Sequence, residues 1–459
     1  MVETKIFLPD DIDRFAALSI DYSPLHCDSD YARKTMYGEP VVHGILGVLE
    51  CLKNHNRRIS YLEAQFLKPM FCHIPYHVSG NEILDGNTKM LRLKVKNSEE
   101  DYIYALPALR ETPQRLHAKD MNITEILEKQ TFEGEYSICA ENTLYSALFW
   151  SSWFVGMEVP GKQALYSKIK LNVESQENIT TSFNYKVSIE EYHEKFNLLC
   201  MRFELYSNNR IFANGALEVF VRPKISSPIY RKSTLPLEMQ NKFNGKTALV
   251  TGASRGFGAA IAQVLAAMGA NVYINFQKSL TEAMELQKII KEQGGNAELL
   301  QSDVLKIAEF AQDIDILVLN AAPPTLALTL SLGPSYVDRI QSYVSTAFNY
   351  ALSPLSTFAS KLNEKGGYCL VVSSGYMDFV EPEFPHYLCS KAAIEMLAVC
   401  TAKKYKNTKY LIIRPPKMLT DMSNSAAGNA NAKNPLEIAE KACMKLLESK
   451  EGCAHFYSN

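Results

Sequence analysis

Thr247-Ala248-Leu249-Val250-Thr251-Gly252-Ala253-Ser254-Arg255-Gly256-Phe257-Gly258 is the stretch from which the fold of this chain is read. Its first four residues form the short apolar run of a strand covered on both faces. Glycines at 252, 256 and 258 follow, then ten residues, Ala259 to Met268, free of glycine and proline. Such a run reads as a helix packed by small side chains. A strand that passes through glycines into a helix leaves unpaired N–H groups and positive potential at the helix start, a setting that favours an anionic group.

Downstream, the strand-like runs Val272–Asn275, Ile314–Leu319 and Tyr368–Val372 alternate with helical stretches. That rhythm predicts an α/β domain over 244–459, a doubly wound parallel sheet. Upstream, 224–243 is polar, carries Pro228 and Pro236, and reads as a linker. Before it the texture differs. Segment 1–115 has helical patches at Ile12–Ser19 and Gly44–Lys53. Leu91, Leu93 and Val95 then alternate with Arg92, Lys94 and Lys96, the two-residue period of a strand, after an Asp85-Gly86-Asn87 turn. Segment 116–223 repeats the order: an apolar helix at Leu144–Met157, then strands at Leu165–Val173, Thr180–Ile189, Leu198–Tyr206 and Ile211–Val221. Two copies of a helix wrapped by an antiparallel sheet are expected, an α+β N-terminal half.

The formal net charge of -2 supplies no broad basic field, which argues against nucleic acid or an acidic membrane as partner. The uncharged stretch Asn142–Met157 is too short to span a bilayer and reads as a buried helix. The ten cysteines include no C-x-x-C pair, so reduced thiols, a cytoplasmic location and no metal site are expected.

Tyr387 and Lys391 stand four apart, on one face of a helix, where an ammonium would lower the phenol's pKa towards working pH. Ser374 closes a strand thirteen residues before Tyr387. With the Thr251–Gly258 loop and Asn320-Ala321-Ala322 after the fourth strand, these residues resemble the short-chain dehydrogenase/reductase family. The resemblance implies that Tyr387 passes a proton to a carbonyl oxygen as hydride arrives from a nicotinamide. Lys391 would bind the cofactor ribose, and Ser374 would hold the carbonyl. Thr251, Gly252, Ser254, Arg255, Gly256, Phe257 and Gly258 would cradle the phosphates with Asn320, Ala321 and Ala322, and Asp303 and Val304 would meet the adenine. The second strand ends in Asn275-Phe276-Gln277-Lys278, with no carboxylate to grip a ribose 2′-hydroxyl. Arg255 and Lys278 supply charge for a 2′-phosphate, so NADP(H) is favoured over NAD(H). Departures from the family pattern are Tyr343 where an Asn is usual and Pro415-Pro416 in place of Pro-Gly.

Near the N-terminus, Ser19-Ile20-Asp21-Tyr22-Ser23-Pro24-Leu25-His26 and Tyr37-Gly38-Glu39-Pro40-Val41-Val42-His43-Gly44 resemble the MaoC-like (R)-specific enoyl-thioester hydratases and dehydratases. Phe66-Leu67-Lys68-Pro69 looks like the strand after that family's central helix, and Gly156-Met157-Glu158-Val159-Pro160-Gly161 resembles a second unit without the catalytic pair. The resemblance implies a double hot-dog half in which Asp21 and His26 divide proton transfer and the Gly44 N–H stabilises charge on the thioester oxygen. Here the family's Gly before Asp is Ile20, and its Asn is Ser23.

The two resemblances imply consecutive chemistry on one substrate, reduction of a 3-oxoacyl thioester and loss of water from the 3-hydroxyacyl product. The expected substrate is an acyl-CoA or acyl-carrier-protein thioester, in fatty-acid-like or polyketide-like metabolism, handled by a homo-oligomer (dimer or tetramer). Two other readings stay open: a reductase whose N-terminal half only binds thioesters or dimerises, and a degenerate nucleotide-binding scaffold.

Overall fold

A computed structural model of the chain describes all residues except 1–2, 106, 108–114, 138–141, 175–181, 225–234, 311, 326–333, 425, 430, 453 and 459. Two compact units emerge, Met1–Lys224 with Ser425–Ala427, and Ile225–Asn424 with Gly428–Asn459.

In the N-terminal unit ten strands form one sheet: β1 (Glu3–Ile6), β2 (Arg57–Phe66), β3 (Pro75–Ser79), β4 (Glu82–Asp85), β5 (Thr88–Asp101), β6 (Thr131–Tyr136), β7 (Ala164–Val173), β8 (Phe183–His193), β9 (Leu198–Ser207) and β10 (Arg210–Val221). Their spatial order is β1-β3-β4-β5-β2-β7-β10-β9-β8-β6, and every neighbouring pair is antiparallel. The two sequence segments therefore meet edge to edge, with Tyr61 to Gln65 of β2 paired to Asn172 to Lys168 of β7. Turn chemistry sets the register. Asn208 and Asn209, at φ 49° and 61°, close the β9–β10 hairpin in the left-handed region that asparagine tolerates. Of the expected strand at Thr180–Ile189, Thr180 and Thr181 lie outside the described residues, and β8 runs on to His193.

The three longest helices among the described residues of the unit are α1 (Pro9–Ser19), α2 (Gly44–Leu52) and α3 (Thr143–Trp153). Ten of the eleven α3 residues are buried, which explains its lack of charge and of a polar face. Trp150 stacks on Phe154 at 5.4 Å and tilts against Phe203 of β9 at 4.9 Å. Phe149 meets Phe15 of α1 edge-on at 5.8 Å. After Trp153 the helix widens into a π turn, Phe154–Glu158.

In the C-terminal unit seven parallel strands, β11 (Thr247–Val250), β12 (Asn271–Phe276), β13 (Asn296–Gln301), β14 (Ile316–Leu319), β15 (Tyr368–Val372), β16 (Lys409–Arg414) and β17 (Ala454–Ser458), lie in the order β13-β12-β11-β14-β15-β16-β17. The helices α4 (Gly256–Ala267), α5 (Leu280–Glu292), α6 (Pro334–Lys365), α7 (Pro385–Lys404) and α8 (Pro435–Glu448) connect them. Ala248 and Val250 enter one apolar cluster while Leu249 enters another, so the sheet is covered on both faces. This is a Rossmann-like doubly wound sheet. Its strand order reverses between β11 and β14, which opens a crevice at their carboxyl ends. No helix among the described residues is long and apolar enough to cross a membrane.

Phe203 is fully buried against Trp150. Phe203→Ala is expected to destabilise the N-terminal unit by about 3–5 kcal/mol through lost transfer energy and a cavity. A lower urea midpoint by circular dichroism would show it, and an unchanged midpoint would contradict this account of the core.

Candidate functional sites

At the C-terminal crevice, the loop between β11 and α4 is shaped by its neighbours. The Thr251 hydroxyl donates to the Val318 carbonyl at 3.0 Å and accepts from the Asn320 and Ala321 N–H groups. The Asn320 amide donates to the Thr251 and Gly252 carbonyls at 3.1 and 2.9 Å. Gly252 and Gly256 have φ of 61° and 60°, values that favour glycine. A Cβ at Gly258 would come within 2.4 Å of the Asn320 amide nitrogen, so the close approach requires its absence. A loop held this tightly before the free N–H groups of α4 fits the diphosphate of a dinucleotide.

Other predicted contacts fall around it. Asn275 is buried at the end of β12, and its amide holds the Ser302 carbonyl at 3.0 Å. Lys278 is exposed. Asp303 accepts from the Gln277 amide at 3.0 Å and from the Leu305 N–H at 2.9 Å, capping the turn that begins at the buried Val304. Arg255 forms an ion pair with Asp421 at 3.2 Å. Phe257 and Ser254 are buried, and Ala322 is half-buried.

Ser374, Tyr387 and Lys391 converge at the carboxyl end of β15 and the start of α7. The Lys391 ammonium donates to the Val372 carbonyl at 2.9 Å and lies 5.5 Å from the centre of the Tyr387 ring. Burial lowers the Lys391 pKa to about 8, opposed by the charge of Glu395. The expected lowering of the Tyr387 pKa is overturned. Burial dominates and raises it, against the hydrogen bond from Ser374. Tyr343, in the place of the expected Asn, bonds through its hydroxyl to Thr325 at 2.7 Å and meets the His386 ring edge-on at 4.5 Å.

The N-terminal site forms where α1 ends. Ile20 has φ 53° and ψ 21°, a left-handed conformation that costs a β-branched residue about 1–2 kcal/mol. This backbone turn carries Asp21 inward, where it is 2% exposed. Its carboxyl accepts from the Ser23 N–H at 3.1 Å and the Ser152 hydroxyl at 2.6 Å. Burial nevertheless raises its pKa to about 7. His26 donates from Nδ1 to the Val41 carbonyl at 2.6 Å, which leaves Nε2 as a lone-pair base, and burial lowers its pKa to about 4. Asp21, His26 and Gly44 line one cavity of about 130 Å³ with Ser23, Phe66 and Ser152. Gly44 begins α2, where N–H groups lack intrahelical partners, and a Cβ there would strike the Phe66 ring at 2.7 Å.

Three residues of this site were missed in the sequence. His43 stacks on His26 at 3.9 Å between ring centres and donates from Nε2 to the Asp21 carbonyl at 3.0 Å. Ser152 and Gly156 come from the second segment. A Cβ on Gly156 would sit 2.3 Å from Asp21 Oδ1, so the π turn brings backbone against the carboxyl. The His-Gly pair was the available signal for His43. Nothing local marks Ser152, which is 131 residues from Asp21. Among the described residues, Asp21, His26 and His43 also bring three ligand-type atoms within 4.8 Å of one another, although one nitrogen of each imidazole already holds a carbonyl.

Comparisons with known proteins place residues 246–431 in a match to the short chain dehydrogenase profile and residues 2–49 in a match to the MaoC like domain. Oxidoreductase UcpA of Salmonella typhimurium is 31% identical over 214 residues, 43% of this chain and 78% of that protein. The 1-cyclohexenylcarbonyl-CoA reductase of Streptomyces collinus is 30% identical over 170 residues, 35% of this chain and 59% of that protein. Among solved structures, a 3-oxoacyl (acyl-carrier-protein) reductase from Agrobacterium tumefaciens with NADP bound is 24% identical, covering 49% of this chain and 97% of that one, with a TM-score of 0.42.

The Asp21 carboxyl has a folded-state pKa of about 7 against an ordinary value of 3.8. Between these values the native state holds a proton that the unfolded chain has lost, so this group's contribution to stability falls as pH rises through that window. Asp21→Asn lacks the decline. Its stability relative to wild type should improve between pH 5 and pH 7 at up to about 1.4 kcal/mol per pH unit. Denaturation midpoints of both proteins across that range test this, and a difference that stays constant with pH counts against it.

Proposed function

The chain belongs to the short-chain dehydrogenase/reductase family and carries a MaoC-like domain at its N-terminus, and from that premise we propose a bifunctional enzyme of acyl thioesters. In this reading the C-terminal unit reduces a 3-oxoacyl thioester and the N-terminal unit, a double hot-dog, dehydrates the 3-hydroxyacyl product or hydrates the enoyl form. The observation that carries it is the convergence of Ser374, Tyr387 and Lys391 at the carboxyl end of β15, two strands from the glycine loop of β11.

The chemistry follows from the protonation states. NADP(H), when bound, supplies the hydride. Thr251 to Gly258, Asn320, Ala321 and Ala322 would hold its phosphates, Asp303 and Val304 its adenine, and Arg255 with Lys278 a 2′-phosphate. A phenol whose pKa is raised by burial keeps its proton at neutral pH, which suits Tyr387 to donate it to a developing alkoxide. Ser374 orients the carbonyl, and the Lys391 ammonium adds positive charge beside it. In the other unit a neutral His26 and an Asp21 poised near pH 7 divide the proton taken from carbon and the proton returned to the departing hydroxyl. The Gly44 N–H faces the charge that grows on the thioester oxygen. The name of the Streptomyces relative, 1-cyclohexenylcarbonyl-CoA reductase, supports this substrate class. A cofactor used for reduction places the pair in fatty-acid-like or polyketide-like metabolism, on coenzyme A or a carrier protein.

A 3-oxoacyl-CoA with NADPH, followed separately for cofactor oxidation and for enoyl formation, tests the whole reading. Tyr387→Phe should lose about 10²–10⁴-fold in reduction while dehydration of supplied 3-hydroxyacyl-CoA persists. Asp21→Asn should do the reverse. Reduction without dehydration in wild type favours the single-activity reductase, and no turnover of any kind favours the scaffold.

Cofactor choice has its own test. A charge-assisted bond to phosphate is worth about 1.5–3 kcal/mol, so Arg255→Ala should weaken NADPH binding about 10- to 100-fold and NADH binding far less. Equal losses for both would argue against a 2′-phosphate role for Arg255.

A further inference from the structure

Tyr387, Lys391 and Glu395 succeed one another at four-residue intervals along one face of α7. Glu395 is 6% exposed and has no part in the chemistry proposed above. Its carboxylate is nonetheless engaged from two elements. The Ser373 hydroxyl, itself buried at the end of β15, donates to Oε1 at 2.5 Å. Arg414, the last residue of β16, donates to Oε1 from Nε at 2.8 Å and to Oε2 from Nη2 at 2.7 Å. The remaining arm of the same guanidinium, Nη1, holds Asp378 Oδ1 at 2.7 Å. Asp378 ends the short turn that starts from Ser374.

The network thus ties together the three pieces of backbone that carry the reductase groups. One turn before Glu395, Lys391 reaches the Val372 carbonyl, so α7 is stitched to the last residue of β15 and to the residue after it by two side chains on one face. Ser374 follows directly. Resting on the reductase reading above, we propose that Glu395 is a positioning residue: clamped by Arg414 and tethered by Ser373, it keeps Tyr387 and Lys391 in register with Ser374 and supplies the counter-charge for the Lys391 ammonium.

A fully apolar clamp could fix the register but not the charge. The surroundings of Lys391 bear this out. The Lys391 ammonium lies over the Tyr387 ring and feels the charge of Glu395. Further out, Tyr376 and Tyr343 neighbour Tyr387, His386 meets Tyr343, and Asp378 pairs with Arg414. Among these, Glu395 is the group that opposes the lowering of the Lys391 pKa by burial.

The test separates the two roles, and its titration arm needs no substrate. Lysine side chains labelled with ¹³C at Cε are titrated by NMR in the full-length protein, with the Lys391 signal assigned by its loss in Lys391→Met. Glu395→Gln keeps the size and can still accept from Ser373, but removes the charge. Its Lys391 midpoint should fall by about one pH unit, while Ser373→Ala, which keeps the charge, should leave the midpoint in place. In steady-state reduction Ser373→Ala should lower kcat several-fold with little change in KM. Where Glu395→Gln does not fold, Ser373→Ala still decides the tether. An unshifted Lys391 midpoint in folded Glu395→Gln, or an unchanged kcat in Ser373→Ala, overturns the proposal. Failure of the reductase reading shows separately, as wild-type protein without NADPH oxidation.

Discussion

A carboxyl group taken out of water keeps its charge only where something replaces the hydration it loses, and otherwise it binds a proton. Each unit of this chain buries one such group at its candidate site, with opposite surroundings. Asp21 receives a hydroxyl and a single backbone N–H, and burial still wins, so the group stands between its two protonation states near neutral pH. Glu395 receives a two-pronged guanidinium and a second hydroxyl. The first arrangement suits a group that must give and take a proton. The second suits a fixed charge whose work is to hold its neighbours. Around each, the local backbone follows: the left-handed Ile20 turns Asp21 inward, and Arg414 joins the ends of two strands to a helix.

The C-terminal unit was legible because its signals are local. A strand, a glycine loop and a helix occupy consecutive residues, and Tyr387 and Lys391 share a helical face at a spacing any helix enforces. What escaped was the balance of forces on Tyr387. Spacing shows that a cation is near but not how much water is excluded, and exclusion decides the direction of the shift. The strand read as Ile314–Leu319 begins two residues later, at Ile316, because pairing with β11 starts there. The supports of the site, Ser373, Glu395 and Arg414, are similarly invisible in sequence, since nothing in their spacing announces that two strand ends and the middle of a helix meet at one point.

In the N-terminal half α1 to α3, β5 and β7 to β10 were readable one at a time, while β1, β3 and β6 were not. The strand read at Phe66–Pro69 is β2 and ends at Phe66, and the joining of the segments left no trace. Alternation within β5 and the asparagine turn before β10 are properties of short stretches. The pairing of β2 with β7 is a long-range fact that no period encodes. The same holds for the site. Asp21, His26 and Gly44 lie within 24 residues and could be picked out, whereas Ser152 and Gly156 belong to the second segment and reach Asp21 only after folding. Among the described residues that second segment brings no acid–imidazole pair to the pocket, yet its π turn forms one wall of the pocket that holds the acid.

The continuity of the ten-stranded sheet has a consequence for solubility. Where two five-stranded halves would each expose a long central margin, β2 and β7 satisfy one another, and among the described residues β1 and β6 are the outer rims. β1 is four residues long, and β6 presents Glu133, Gly134 and Glu135 to solvent in succession. Short rims and rims lined with acid are poor templates for another polypeptide, because a docking strand gains few ladder bonds or must bury charge. This half of the molecule is thereby guarded against runaway strand-to-strand polymerisation.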